Sequence, residues 1–183
     1  MYTRNLGQQF GTSIKLGLSP SLIQVSDMVP FLIIFLGLIL AFAVVSDLRF
    51  QRIPNVLTFA AIAVGLVYHW STDGFEGLFF SAKGLGLGVS ILILPYLFGA
   101  MGAGDVKLMG AVGAILGPMG LFVAFLFTAI SGGVYGLAVL IRRQIRDPGV
   151  ESQNRPRLCY GVAIAVGTTV SVFLGLSGYR FPI

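Results

Sequence analysis

The sequence predicts an all-α membrane protein, a polytopic bundle of six transmembrane helices. Three observations carry that expectation. Hydrophobic residues fill 56% of the 183 positions and charged residues only 10%, whereas a soluble domain carries about 25% charged residues. The mean hydropathy is +0.90. The apolar residues fall in long runs broken by short polar stretches, and the length accommodates about six spans of roughly 20 residues with no room for a separate soluble domain.

Residues 1–28 form an N-terminal tail of mixed character, with Arg4 and Lys15 but no apolar core followed by a small-residue cleavage site, so a signal peptide is not expected. Leu6, Phe10 and Ile14 recur at helical spacing and fit a helix lying on the membrane. A second reading takes Met28 as the native start. Residues 29–177 make a single six-helix domain, and 178–183 are its C-terminal end.

The first span covers about Val29 to Ser46, opens at Pro30 and ends at Asp47. Pro54 stands where a helix can begin, because its missing N–H would be unpaired there anyway, and the second span follows from about Asn55 to Trp70. Ser71 to Ser81 is polar and predicts a loop on the opposite side. The third span, about Gly84 to Ala100, carries Gly84, Gly86 and Gly88, which allow close helix approach. Gly117-Pro118-Met119-Gly120 is a strong helix breaker. It divides the next apolar stretch into a short fourth span, Asp105 to Gly117, and a fifth, Met119 to Ile141. At about 1.5 Å per residue the short span covers roughly 20 Å of a hydrocarbon core of about 30 Å. Asp105 is therefore expected to lie recessed below the headgroups, or the bilayer to thin there. A loop over residues 142–157 precedes the sixth span, about Leu158 to Leu176.

The net charge of +5 belongs to topology rather than to a nucleic-acid partner, because its arginines cluster in short loops. Arg142, Arg143, Arg146, Arg155 and Arg157 mark the 142–157 loop as cytoplasmic. Counting back through the spans brings Asp105 and Asp47 to the same side, with Arg49, Arg52 and Lys107, and puts Asp73 and Glu76 outside. Arg4, Lys15 and Arg180 fall on the outer side against this trend.

The single cysteine, Cys159, excludes an internal disulfide and a multi-cysteine metal site. The single histidine, His69, lies in Tyr68-His69-Trp70, an aromatic belt at a membrane surface, and leaves a zinc centre short of ligands. No metal and no cofactor is expected.

A carboxylate inside a membrane segment is costly and so a functional candidate. Taken singly, Asp47 is a charge closing a span and Asp105 a helix N-cap. Brought to one face, they can act as acid and base on a shared water, since two close carboxylates hold a single proton between them. Asp105, at a helix N-terminus, is favoured as the charged member and Asp47 as the protonated one. Gly102 and Gly104 are expected to take positive φ and let the backbone approach a substrate. Arg49, Arg52 and Lys107 are first of all interface anchors, and with Gly102 and Gly104 they complete the set of residues that shape the site or meet substrate. Gly110, Gly113 and Gly117 are assigned to helix packing. A proton-coupled transporter or a non-catalytic assembly subunit is the competing class. A transporter should spread polar residues through its spans, and the second, third, fifth and sixth have no carboxylate.

Gly102-Ala103-Gly104-Asp105-Val106-Lys107-Leu108-Met109 resembles the GxGD signature of the prepilin peptidases, intramembrane aspartyl proteases of type IV pilus and secretion systems. Asp47-Leu48-Arg49 followed by Ile53-Pro54-Asn55 is similar to the partner motif after their first span. Tyr160-Gly161-Val162-Ala163-Ile164-Ala165 is similar to the start of their last span, with Cys159 where the family commonly has proline. The resemblance implies a bacterial inner-membrane enzyme with Asp47 and Asp105 catalytic. It would cleave the basic leader of a prepilin substrate at the cytoplasmic face. The paired CxxC motifs of larger members are absent, which is similar to the short Flp/Tad form. N-methyltransferase activity is therefore not expected. The partners implied are a prepilin and membrane lipid, and the oligomeric state stays open.

Overall fold

The computed structural model of the protein describes residues 30–50, 52–99, 101–146 and 160–177. These form four helices: α1 Pro30–Phe50, α2 Asn55–Leu97, α3 Ala103–Arg146 and α4 Tyr160–Leu176. The protein is an all-α membrane protein. Helices α1, α2 and α3 are long and apolar enough to cross a bilayer, and α4 is a shorter apolar helix. The expected count of six is thus not the count of continuous helices. Proposals for residues 1–28, for the loop beyond Arg146, for Cys159 and for 178–183 lie outside the described residues.

The difference in count has a local cause. Helix α2 contains Gly74 at φ 62°, ψ −136°, and α3 contains Gly117 at φ 71°, ψ −177°, torsions that glycine adopts without the steric cost of a Cβ. At each the chain folds back. Gly77 lies against the His69 carbonyl, although residues eight apart in a straight helix are about 12 Å apart along its axis. A Cβ on Gly113 would sit 3.3 Å from Leu121 Cδ2, again eight residues on. Each long helix is therefore a pair of limbs, 55–73 with 75–97 and 103–116 with 118–146.

Ser71 to Ser81, expected as a loop, is helical on both sides of Gly74. The Ser71 and Thr72 hydroxyls donate to the Tyr68 carbonyl, so these polar residues satisfy themselves on the helix instead of opening it. Helix α1 likewise runs on past Ser46 to Phe50, which places Asp47 in its last turn. Pro54 flanks the start of α2 at φ −62°, ψ 130°, as its fixed ring geometry favours.

Limb 103–116 is the centre of the bundle, with Leu108, Met109, Val112 and Ile115 fully buried. Close approach to it rests on small residues. Gly84 packs on the Gly113 backbone, Gly88 would place a Cβ 2.6 Å from the Met109 carbonyl oxygen, and Gly65 would place one 3.0 Å from that of Ala114. Gly86 faces open space, so two of the three glycines expected at this interface serve it. Limb 118–146 packs against α4, where Gly167 meets Thr128 and Ala124. Phe31, Ile34, Leu38 and Phe42 on α1 are exposed, a face suited to lipid.

His69 departs most from expectation. It is 2% exposed and its Nε2–H donates to the Ile115 carbonyl at 3.0 Å, so it is an interior residue rather than part of a surface belt. The Ser81 hydroxyl donates to the neighbouring Ala114 carbonyl at 2.6 Å. The break at Gly117 and the missing N–H of Pro118 leave carbonyls at the end of limb 103–116 without helical donors. His69 and Ser81 supply the replacements from the two limbs of α2.

Candidate active site

The end of α1 and the starts of α2, α3 and α4 gather at one end of the bundle. Asp47, from the last turn of α1, is 7% exposed, and Asp105, from the first turn of α3, is 8% exposed. The other carboxylates among the described residues, Asp73 and Glu76, are exposed. Ser46, beside Asp47, bonds the Arg52 carbonyl, and Ile53 packs on Gly104, beside Asp105, so the two sequence motifs are neighbours in space.

Each carboxylate is held by a backbone N–H at the start of a helix, where such donors lack helical acceptors. Gly102 N–H donates to Asp105 Oδ2 at 3.1 Å, the reach-back contact of a capping box from the third helical position. Gly161 N–H, in the first turn of α4, donates to Asp47 Oδ2 at 2.9 Å. Asp47 thus closes α1 and also faces the N-terminus of α4, so both carboxylates lie at the start of a helix.

The remaining candidates separate into distinct roles. Among the described residues Gly74, Gly99 and Gly117 take positive φ; Gly102 and Gly104 do not, which corrects the expectation for both. Gly102 serves as the donor to Asp105. Gly104 admits Ile53, whose Cβ would lie 3.1 Å from a Cβ added there. Lys107 Nζ donates to Asn55 Oδ1 at 2.9 Å and lies 5.2 Å from the Phe59 ring centroid, a cation–π distance. Arg49, in the last turn of α1, and Arg52 are exposed. The Arg52 carbonyl accepts the Ser46 hydroxyl at 2.7 Å.

Gly161 and Ser46 carry contacts to the site that sequence reasoning did not assign. A glycine in the first turn of a helix was the available signal for Gly161, since a Cβ there would lie 2.8 Å from Asp47 Oδ2. Among the described residues no three His, Cys, Asp or Glu side chains gather as a metal site would require.

The sequence profile of the type IV leader peptidase family matches residues 33–137, more than half of the chain, including both aspartates. The chain belongs to this family. It is also similar to the prepilin leader peptidase/N-methyltransferase of Bacillus subtilis (strain 168), with 29% identity over 158 residues, 82% of this chain and 58% of that relative. The chain thus spans less than two thirds of the relative's length. No solved structure matches. The family match ends before α4, so Gly161, the donor to Asp47, lies outside the matched stretch.

Proposed function

We propose that this chain is a membrane-embedded aspartyl peptidase that removes the leader from Flp-type prepilins at the cytoplasmic face of a bacterial inner membrane. The observation that carries the proposal is the burial of Asp47 and Asp105 at one end of the bundle, where Arg52 and Ile53 touch the aspartates' respective neighbours, Ser46 and Gly104. The family match and the prepilin named in the Bacillus subtilis relative's description support the substrate class.

In the proposed reaction one carboxylate is charged and draws a proton from a water, which attacks the scissile carbonyl. The other is protonated, donates to the carbonyl oxygen and later assists departure of the amine. Both atoms and charge balance with a single proton shared by the pair. The N–H donors of Gly161 and Gly102 fix one oxygen of each carboxylate and leave the other free for water or substrate. Cleavage alone is proposed, without methylation of the product.

The same reading gives six membrane limbs from four helices. The fold-backs at Gly74 and Gly117 turn α2 and α3 into two passes each, and α1 and α4 complete the set. Limb 103–116 is about 20 Å long against a hydrocarbon core of about 30 Å. Asp105 then lies recessed within the bilayer, where a prepilin's apolar helix can present its scissile bond. Arg142, near the end of α3, with Arg49 and Arg52, supports a cytoplasmic location of this end by the positive-inside rule.

The test is incubation of an Flp-type prepilin with membranes carrying the wild-type protein, Asp47→Ala or Asp105→Ala. Cleavage by the wild type and by neither variant is expected. Cleavage that survives either substitution rejects the two-aspartate mechanism. Absence of cleavage by the wild type, with proton flux across proteoliposomes, would favour a transporter.

A further inference from the structure

Residues 52–55, which lead from the connection after α1 into the first residue of α2, contact the immediate neighbours of both aspartates. On the Asp47 side, the hydroxyl of the adjacent Ser46 donates to the Arg52 carbonyl at 2.7 Å, and Ser46 is itself buried, 6% exposed. On the Asp105 side, Ile53 is 9% exposed and packs on Gly104, the residue before Asp105, with only 3.1 Å between its Cβ and the place a Gly104 Cβ would take. One turn further, Lys107 reaches Asn55 at 2.9 Å and is steadied over Phe59. Three consecutive ties thus run from residue 46 to 52, from 53 to 104 and from 55 to 107. Pro54, with its φ fixed by its ring, stiffens the middle of the connection.

We infer that residues 52–55 are a strut that sets the separation of Asp47 and Asp105, and that Ser46 and Lys107 are positioning residues which fasten its two ends. Lys107 accordingly acts through Asn55 and does not need to touch substrate. The alternative use of this cation, as a contact for substrate, makes the opposite kinetic prediction. The catalytic part of the inference rests on the peptidase reading, whereas the strut itself is a statement about distance.

The experiment therefore has two arms. In a Cys159→Ser background, nitroxide labels at Phe50→Cys and Ala103→Cys report the separation of the end of α1 from the start of α3, by electron spin resonance in proteoliposomes. Ser46→Ala and Lys107→Met are expected to lengthen or broaden that separation. Ser46→Thr and Lys107→Arg, which keep a hydroxyl and a cation, are expected to restore it. In the second arm, the same substitutions without labels are assayed on prepilin. Misplaced reacting groups lower kcat by about 10-fold or more, while uniform binding, and so KM, changes by less than about twofold. The pH range of activity should narrow, because carboxylates held further apart share one proton over a shorter range.

An unchanged label separation in both Ser46→Ala and Lys107→Met overturns the strut. A Lys107→Met protein with raised KM, unchanged kcat and an unchanged pH profile makes Lys107 a substrate contact and overturns its positioning role. If the wild type does not cleave prepilin, the peptidase reading fails and the label arm still decides the strut.

Discussion

The two ends of this bundle solve opposite problems of backbone satisfaction. At one end helices begin, leaving N–H groups that need acceptors; at the other, limb 103–116 stops at Gly117 and leaves carbonyls that need donors. The first end answers with Asp47 and Asp105, the second with Ser81 and His69. All four side chains are buried, so burial of a polar group does not by itself distinguish a site from a support. The difference lies in capacity. A carboxylate holding one N–H keeps a second oxygen and a titratable proton for chemistry. The Ser81 hydroxyl and the His69 Nε2–H each spend their donor on one carbonyl, and among the described residues His69 Nδ1 has no partner.

The sharpest way to break that contrast is to remove the proton and keep the acceptor. Asp47→Asn and Asp105→Asn retain an oxygen for Gly161 and Gly102, so both proteins should fold with little change in Tm. Losing an acid–base group costs about 10²- to 10⁴-fold in rate, read as kcat on prepilin in proteoliposomes. Near wild-type kcat in either variant would reduce the aspartates to helix caps and make the two ends equivalent.

A second substitution leaves both aspartates in place and moves one. In Gly161→Ala the new Cβ would lie 2.8 Å from Asp47 Oδ2 and 3.1 Å from Asp47 Cβ, so the carboxylate must shift. A displacement of about 1 Å costs about 100-fold in rate. That loss should appear in kcat, with the detergent melting temperature nearly unchanged because alanine suits a helix. A fall in melting temperature without a fall in kcat would make Gly161 a packing residue only.

The opposite end predicts the reverse split. His69→Ala leaves the Ile115 carbonyl buried without its donor, a loss of about 1–3 kcal/mol in stability. The kcat of the protein that remains folded should stay at the wild-type level. A pronounced fall in kcat at unchanged stability would couple this end to the site and dissolve the distinction between them.

What the sequence made legible follows the same division. Asp47 and Asp105 stood out because charge in an apolar chain is costly wherever the chain folds. The breaks were legible in part: Pro118 announced the one at Gly117, but Gly74 sat in a polar, slightly acidic stretch with Asp73 and Glu76 that suggested a loop, whereas the Ser71 and Thr72 hydroxyls bond back to their own helix. His69 and Gly161 were the harder cases. Their partners, Ile115 and Asp47, are distant in sequence, and one histidine among aromatics fits a membrane surface as well as an interior. The positive φ expected of Gly102 and Gly104 was misplaced because glycine answers two different needs, and here close packing on Ile53 and a donor to Asp105 are the ones in force.

That ambiguity of glycine supplies the smallest expected effect and a control for the others. Gly84, Gly86 and Gly88 look alike in sequence, yet a Cβ on Gly84 would strike the Gly113 carbonyl and one on Gly88 would lie 2.6 Å from that of Met109, while one on Gly86 meets nothing within 4 Å. Gly86→Ala therefore adds no contact inside the bundle and removes backbone freedom from the unfolded chain. It should raise stability by about 0.5–1 kcal/mol, seen as a slightly higher melting temperature with kcat unchanged. Gly84→Ala should lower the melting temperature, because backbone faces backbone and no flexible side chain can yield. Equal effects at the two positions would mean that limb 75–97 does not present this face to limb 103–116. The positions of His69 and Ser81, which rest on the same packing, would then have to be redrawn.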